Sequence, residues 1–367
     1  MSISSLAGQY ISASFQPLIQ YSSSGAMYDG LGNQITKIVA TSLTGSVQGT
    51  ASFAVSAAYA PGTSTAGSDT HVQYNKSGSL GGSTAFKFDY GRNSLNVGYS
   101  VNASGQYAIA IGANTVASGL YSKASGNASK ATGDYSNAEG NNTLASGTNS
   151  HAEGMHTSAS GDYSHAEGYY TAAKGFASHA EGELCVASGS YSHAEGYKSY
   201  TYGIASKAIG YGAVAYHPTE FVLGGADPVY TSPGTKQKSN MLMHVYTTDV
   251  DTERLSFGDL SNSYQGYTPT INSSYLIKCD IIAFDSSNAR SKSFETKHTF
   301  KTNGSNTITK VGSGTITVLD TDTGMTNATV DVVADNTNHV IGINAIVSTA
   351  YSGRIDWTAH VTIIKTS

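Results

Sequence analysis

Four histidines, His151, His165, His179 and His193, recur at intervals of fourteen residues, and each is followed two positions later by a glutamate, Glu153, Glu167, Glu181 and Glu195. Imidazole and carboxylate two residues apart on an extended chain share one face, a donor set suited to acid–base work or to a metal ion. Catalysis needs its acid and its base once, whereas these groups come in four near-identical copies, NSHAEG, YSHAEG, ASHAEG and YSHAEG. The repetition points first to an architectural column in which the side chains hydrogen-bond and stack. No catalytic residue, metal ligand or cofactor is expected. Like carboxylates repeated at strand spacing repel, so the column needs His⁺, Lys or ordered water beside it.

The elements that position this column follow from glycine. Glycine falls at every seventh residue from Gly98 to Gly210, seventeen times in all, and alternate glycines have different neighbours, ASG and AEG. The repeat is therefore fourteen residues long, and about eight coils fit between 98 and 210. At ~3.3 Å per residue, one repeat makes two short strands and two tight turns, with glycine supplying the positive φ of the turns. Coils then stack at the ~4.8 Å spacing of paired strands, a parallel β-solenoid of the β-roll kind. A helix is excluded because glycine would line one face at ~1 kcal/mol each against Ala. With 41 Gly, 25 Tyr and only 12% charged residues, the whole chain reads as all-β.

Side-chain parity sorts each coil. In YSHAEG, Ser164, Ala166 and Gly168 share one face and Tyr163, His165 and Glu167 the other; in YAIAIG the second face carries Tyr107, Ile109 and Ile111. The opposite strand repeats Thr143, Thr157, Thr171, Cys185 and Ser199 in one register, and Ala145, Ala159, Ala173, Ala187 and Thr201 in another. A slab filled only with such small side chains buries too little apolar area, at ~25 cal/mol per Å², to offset the ordering of its backbone. The missing burial is expected from other chains.

These residues carry a resemblance. The coil YAIAIGANTVASG, residues 107–119, resembles the fourteen-residue repeat of trimeric autotransporter adhesin heads, and the SHAEG variant resembles repeats of bacteriophage tail and appendage proteins. Residues 71–98, HVQYNKSGSLGGSTAFKFDYGRNSLNVG, resemble the stretch that precedes the shaft in phage tail-fibre proteins, and GTASFAVSAAYA, residues 49–60, resembles their N-terminal linkers. The resemblance implies a homotrimer of left-handed β-rolls. Its axis would be lined by Ile109 and Ile111, then by His151, Glu153, His165, Glu167, His179, Glu181, His193 and Glu195. It also implies a virion attachment role for the N-terminal region.

Four regions result: an attachment and linker region at 1–70, a shaft entry segment at 71–97, the repeat shaft at 98–212, and a C-terminal domain at 225–367. The last contains about seven alternating stretches, among them YLIKCDIIAF and IDWTAHVTIIK, separated by Asn, Gly, Ser and Asp turns, which predicts a β-sandwich or jelly roll that caps the open end of the solenoid. Trp357 alternates with Ile355 and Ala359 and belongs to its core. Cys185 and Cys279 read as small buried residues, not as a disulfide framework.

Tyr169, Tyr170, Tyr197, Tyr200 and Tyr202 occupy coil positions that vary, which places them outside, where aromatic faces can take sugar rings. A formal net charge of -5 without Lys/Arg clusters argues against a nucleic-acid partner. The segment MSISSLAGQYISASF lacks the pattern of a signal peptide and no stretch approaches ~20 apolar residues, so synthesis in the host cytoplasm, incorporation into a virion and no membrane insertion are expected. GxSxG, HExxH, P-loop and CxxC motifs are absent from the sequence, and a non-enzymatic chain is expected. The functional expectation is a phage fibre that recognises a host-surface glycan or protein. An architectural appendage and a fibre with polysaccharide depolymerase activity are the alternatives.

Overall fold

The structure, a computed structural model, describes residues 20–21, 27–28, 34, 70–76, 79–225, 233–248, 251–257, 266–348, 351 and 353–367. The chain divides into two compact units, Met1–Gly62 and Thr63–Ser367. In the first, strands Gln20–Tyr21 and Met27–Tyr28 pair antiparallel. The linker expected at 49–60, and nearly all of the attachment region expected at 1–70, lie outside the described residues.

The second unit is a β-roll joined to a β-sandwich. Each coil of the roll contributes a five-residue strand, such as His165–Tyr169, and a two-residue strand, such as Ala172–Ala173. Long strands pair parallel and in register, His165 on His179 and Ala166 on Ala180, and short strands do the same. Among the described residues the short strands number nine, from Asn102–Ala103 to Val214–Ala215, one more than the glycine run predicts, because the stack continues past Gly210.

The interior follows the parity of the sequence. Ala124, Ala138, Ala152, Ala166 and Ala180 on the long strands face Ala131, Ala145, Ala159 and Ala173 on the short ones, all fully buried. The serine column is satisfied locally: the Ser164 hydroxyl donates to the Gly161 carbonyl at 2.6 Å, and Ser122 to Gly119 at 2.7 Å. A buried hydroxyl with such a partner costs little.

The glycines fall into two physical classes, which differs from the expectation that all serve positive φ. Gly154, Gly168 and Gly182 do have φ of 106°, 104° and 98°. Gly147, Gly161 and Gly175 are absent from the positive-φ residues; they are glycine because a Cβ would stand about 2 Å from the carbonyl oxygen of the next coil, 2.0 Å for Gly161 and 2.1 Å for Gly175. At that second turn the left-handed residue is two positions later and is usually not glycine: Tyr163 at 59°, Ala177 at 49°, Tyr191 at 59°.

Both ends of the long-strand sheet are closed by antiparallel strands. Ser79–Asp89 pairs with Ser94–Tyr99 at the entry, and Lys236–Thr248 pairs with Phe221–Gly225 at the exit. Such pairing removes the open edges that a solenoid otherwise presents. Beyond the exit, five antiparallel strands form one sheet in the order Lys236–Thr248, Arg354–Thr366, Ser274–Asp285, Arg290–Thr302 and Ile308–Thr321. Asp251–Arg254, Val340–Val347 and Ala328–Asp335 form the second sheet. Met243, Ile281, Phe294, Phe300, Val332, Ile343 and Trp357 fill the space between them. The Trp357 indole donates to Thr247 Oγ1 at 2.9 Å, so the one Trp is core, as expected. Cys185 and Cys279 are both free and buried, and burial pushes the Cys279 thiol up to about 12, away from reactivity.

The last coil breaks the repeat chemistry at the junction. In the register of the stack, His217 stands where the coil before has Gly203, and Glu220 where it has Ser206. The buried Glu220 Oε2 accepts from the backbone N–H groups of Tyr216 at 2.8 Å and His217 at 3.0 Å, and from His217 Nδ1 at 3.1 Å. Because His217 Nε2 accepts from the Thr268 N–H at 3.3 Å, the ring proton sits on Nδ1. Burial opposes ionisation of Glu220, but the hydrogen bonds from His217 prevail and hold its carboxyl below the ordinary value. The imidazole packs on Phe257 and Tyr267, which ties the last coil to the sandwich.

Two predictions follow from these placements. Gly175→Ala lowers stability by about 3 kcal/mol, because overpacking against a neighbouring backbone has no side chain to displace, whereas Ala177→Gly in the same turn is neutral or stabilising; urea unfolding of the two variants checks the contrast. Lys365 is 7% exposed, and burial pushes its ammonium down to about 8, with the Glu220 charge acting the other way. The unfolded chain therefore binds more protons than the folded one above about pH 8. Stability contributed by this site rises with pH from there until the unfolded lysine loses its proton near ~10.4. Lys365→Met flattens that rise and raises the melting temperature at neutral pH, as read from thermal unfolding across the range.

Candidate functional site: the histidine and glutamate column

In-register stacking puts each histidine of the repeat directly on the next. The rings of His151 and His165, His165 and His179, and His179 and His193 lie 4.8, 4.8 and 4.7 Å apart between centroids. The first two pairs are near parallel, at 9° and 7°. The last three imidazoles lean toward the carboxylate of the preceding coil. His165 Nε2 lies 3.8 Å from Glu153, His179 Nε2 3.6 Å from Glu167, and His193 Nε2 3.1 Å from Glu181. Only the last is a hydrogen bond.

The ends of the column are neutralised and the middle is not. Lys123 Nζ sits 2.6 Å from Glu139, and Lys207 Nζ 3.9 Å from Glu195. The Lys123 and Asn137 hydrogen bonds hold the Glu139 carboxyl below its ordinary value. Lys207 lies one coil past the SHAEG run and Lys123 two coils before it.

The column belongs to a longer exposed face. Cross-strand partners point the same way, so register alone traces it. It begins with Phe86 and Phe88 beside Val97 and Leu95, continues through Ile111 and Ile109 and then the polar coils, and ends with Ile209 and Lys207 beside Leu223 and Phe221. Phe221 and Leu223 pair with Asn240 and Lys238, which leads onto the outer face of the five-stranded sheet. There Leu242, Ile282, Phe284 and Ile364 are exposed, and so are Phe86, Phe88, Ile111 and Leu223. The face is apolar at both ends and charged in the middle.

The tyrosines do not converge. Tyr169, Tyr170 and Tyr202 are exposed, while Tyr197 and Tyr200 are half-buried. His156 stacks on Tyr170 at 4.4 Å, Tyr197 lies against Tyr211 at 4.8 Å, and Tyr202 stacks on Tyr216 at 5.3 Å. One ring face of each is thereby occupied. A further column, Tyr107, Tyr121 and Tyr135, stacks at 4.6 and 5.4 Å. Sequence reasoning passed over it, although the fourteen-residue spacing of these tyrosines was its signal. The His217–Glu220 pair was also missed, and the break in repeat identity where Gly and Ser are expected would have found it.

Among the described residues no helix is long and apolar enough to cross a membrane. The repeat matches the YadA head domain repeat at residues 103–122 and 138–164. No curated protein matches the chain in sequence. Among solved structures it is similar to the tailspike protein of Acinetobacter baumannii bacteriophage Fri1, a capsular polysaccharide depolymerase, with 10% identity and a TM-score of 0.24 over 75% of this chain and 43% of that one. It is also similar to the tailspike protein of Acinetobacter phage vB_ApiP_P1, with 8% identity and a TM-score of 0.20 over 72% of this chain and 54% of that one. The chain thus spans about half the length of the tailspikes it matches. The expectation of a non-enzymatic chain is corrected by the first of these, since that protein is an enzyme. The physical reason is that glycan cleavage asks only for two carboxylates placed by the fold, so missing linear motifs are no sign of its absence. In its shaft, then, this all-β chain is a solenoid of YadA-head-like repeats.

Proposed function

We propose that three copies of this chain assemble along the exposed face described above into the shaft and knob of a bacteriophage fibre, and that the assembled fibre binds bacterial surface polysaccharide. The observation that carries this reading is the continuity of that face. Phe86 and Phe88 at the entry, Ile111 at the first coil, Leu223 at the exit, and Leu242 and Ile282 on the sandwich are all large, exposed and on one side. Exposed apolar area of this extent belongs in an interface. The thin alanine interior explains the need, and the YadA head repeats support an adhesin-type assembly. With Ile109, Ile111 and the His/Glu column on the threefold axis, the outer flanks keep Tyr169, Tyr170 and Tyr202 for contact with sugars. Residues 1–70 would join the fibre to the rest of the virion, and three weak sites on one rod would give avidity.

The test is binding of the full chain to an array of bacterial capsular and lipopolysaccharide glycans, with reducing-sugar release measured in the same wells. Retention on at least one polysaccharide class is expected. The double variant Phe88→Glu, Ile111→Glu, which separates the protomers, is expected to weaken retention about a hundredfold through lost avidity. Retention on no glycan and on no whole bacterium contradicts host recognition and favours an architectural appendage.

A further inference from the structure

We infer that the centre of the His/Glu column is a binding site for divalent transition-metal ions, held by Glu153, His165 and Glu167 in one step and by Glu167, His179 and Glu181 in the next. In each triplet one ligand atom from every residue lies within 4.8 Å of the others. A single chain supplies all three, so the inference stands apart from the trimer.

Three independent observations coincide on these two steps. The first is distance. His165 Nε2 to Glu153 and His179 Nε2 to Glu167 measure 3.8 and 3.6 Å, too long for hydrogen bonds. Two ligands on one ion at bond lengths of about 2.1 Å stand roughly 3.0 to 3.4 Å apart, so a small closure of each step completes an ion's coordination edge. The second is orphaned nitrogen. His165 Nε2 and His179 Nε2 are fully covered and have no hydrogen-bond partner, whereas His193 Nε2 bonds Glu181 and His151 Nε2 meets Asn137. The third is charge. The two lysines serve Glu139 and Glu195 at the ends, which leaves Glu153, Glu167 and Glu181 opposed only by imidazoles. A cation placed against those imidazole nitrogens and carboxylates answers all three at once. Mixed imidazole and carboxylate donors suit zinc or nickel better than calcium or magnesium, and water fills the remaining positions.

The experiment uses the full chain stripped with EDTA and dialysed at pH 8. Titration with Zn²⁺ is followed by calorimetry, and with Co²⁺ by its visible ligand-field absorption. The control is His165→Asn with His179→Asn, a change the fold accepts because Asn137 holds the same register one coil from His151. About two ions per chain, an imidazole-ligated Co²⁺ spectrum, and at least about tenfold weaker binding in a variant with unchanged circular dichroism are expected. Equal binding by the variant, or no binding at pH 8, overturns the site.

Discussion

The roll answers to one constraint: each coil hydrogen-bonds to the next in parallel register, so every side chain meets its counterpart at strand spacing. Residue types that tolerate self-contact are thereby selected column by column. Alanine stacks on alanine inside, serine satisfies itself in its own turn, and glycine appears wherever the neighbouring carbonyl comes within about 2 Å of a would-be Cβ. Tyrosine and histidine stack ring on ring outside. Glutamate is the residue that self-contact penalises, and the lysines at the two ends of its column are the local compensation.

The same constraint keeps the interior of the roll thin. A coil that must bring two strands close enough for alanine to fill the gap has no room for a large apolar core, and the burial a single chain obtains is small. Large side chains are instead displaced to the outer face, where they sit at both ends of a strip whose middle is charged. The sandwich has a conventional core of Trp357, Phe294 and Phe300, and is stitched to the roll by a shared antiparallel strand pair and by the buried His217 ring packed on Phe257 and Tyr267. Shaft and sandwich therefore present one exposed face.

Much of this was legible in the sequence because repetition amplifies weak signals. The seven-residue glycine period sufficed for the coil, and the two-residue alternation placed Ala166 inside and His165 outside. Less legible was anything that depended on distance between coils. That Gly161 avoids a carbonyl and not a forbidden φ, that Tyr163 itself takes the left-handed turn position, and that the tyrosines use their faces on one another are consequences of stacking geometry, invisible in a single coil. The sandwich strands were visible by alternation, but their order and the partner of each sheet were set by long-range pairing. The tyrosines expected to meet sugars were placed outside by the variability of their coil positions, and they fall on two coils, Tyr169 and Tyr170 on one and Tyr197, Tyr200 and Tyr202 on another.

The central claim is that the outer face of the roll is completed by other copies of the chain. Multi-angle light scattering of the purified protein at micromolar concentration tests it most directly. A single species near three times 38.0 kDa is predicted, reduced to the mass of one chain by charge placed at Ile111 and Phe88. A wild-type monomer with a cooperative unfolding transition would show that the alanine slab is stable by itself and would contradict the account.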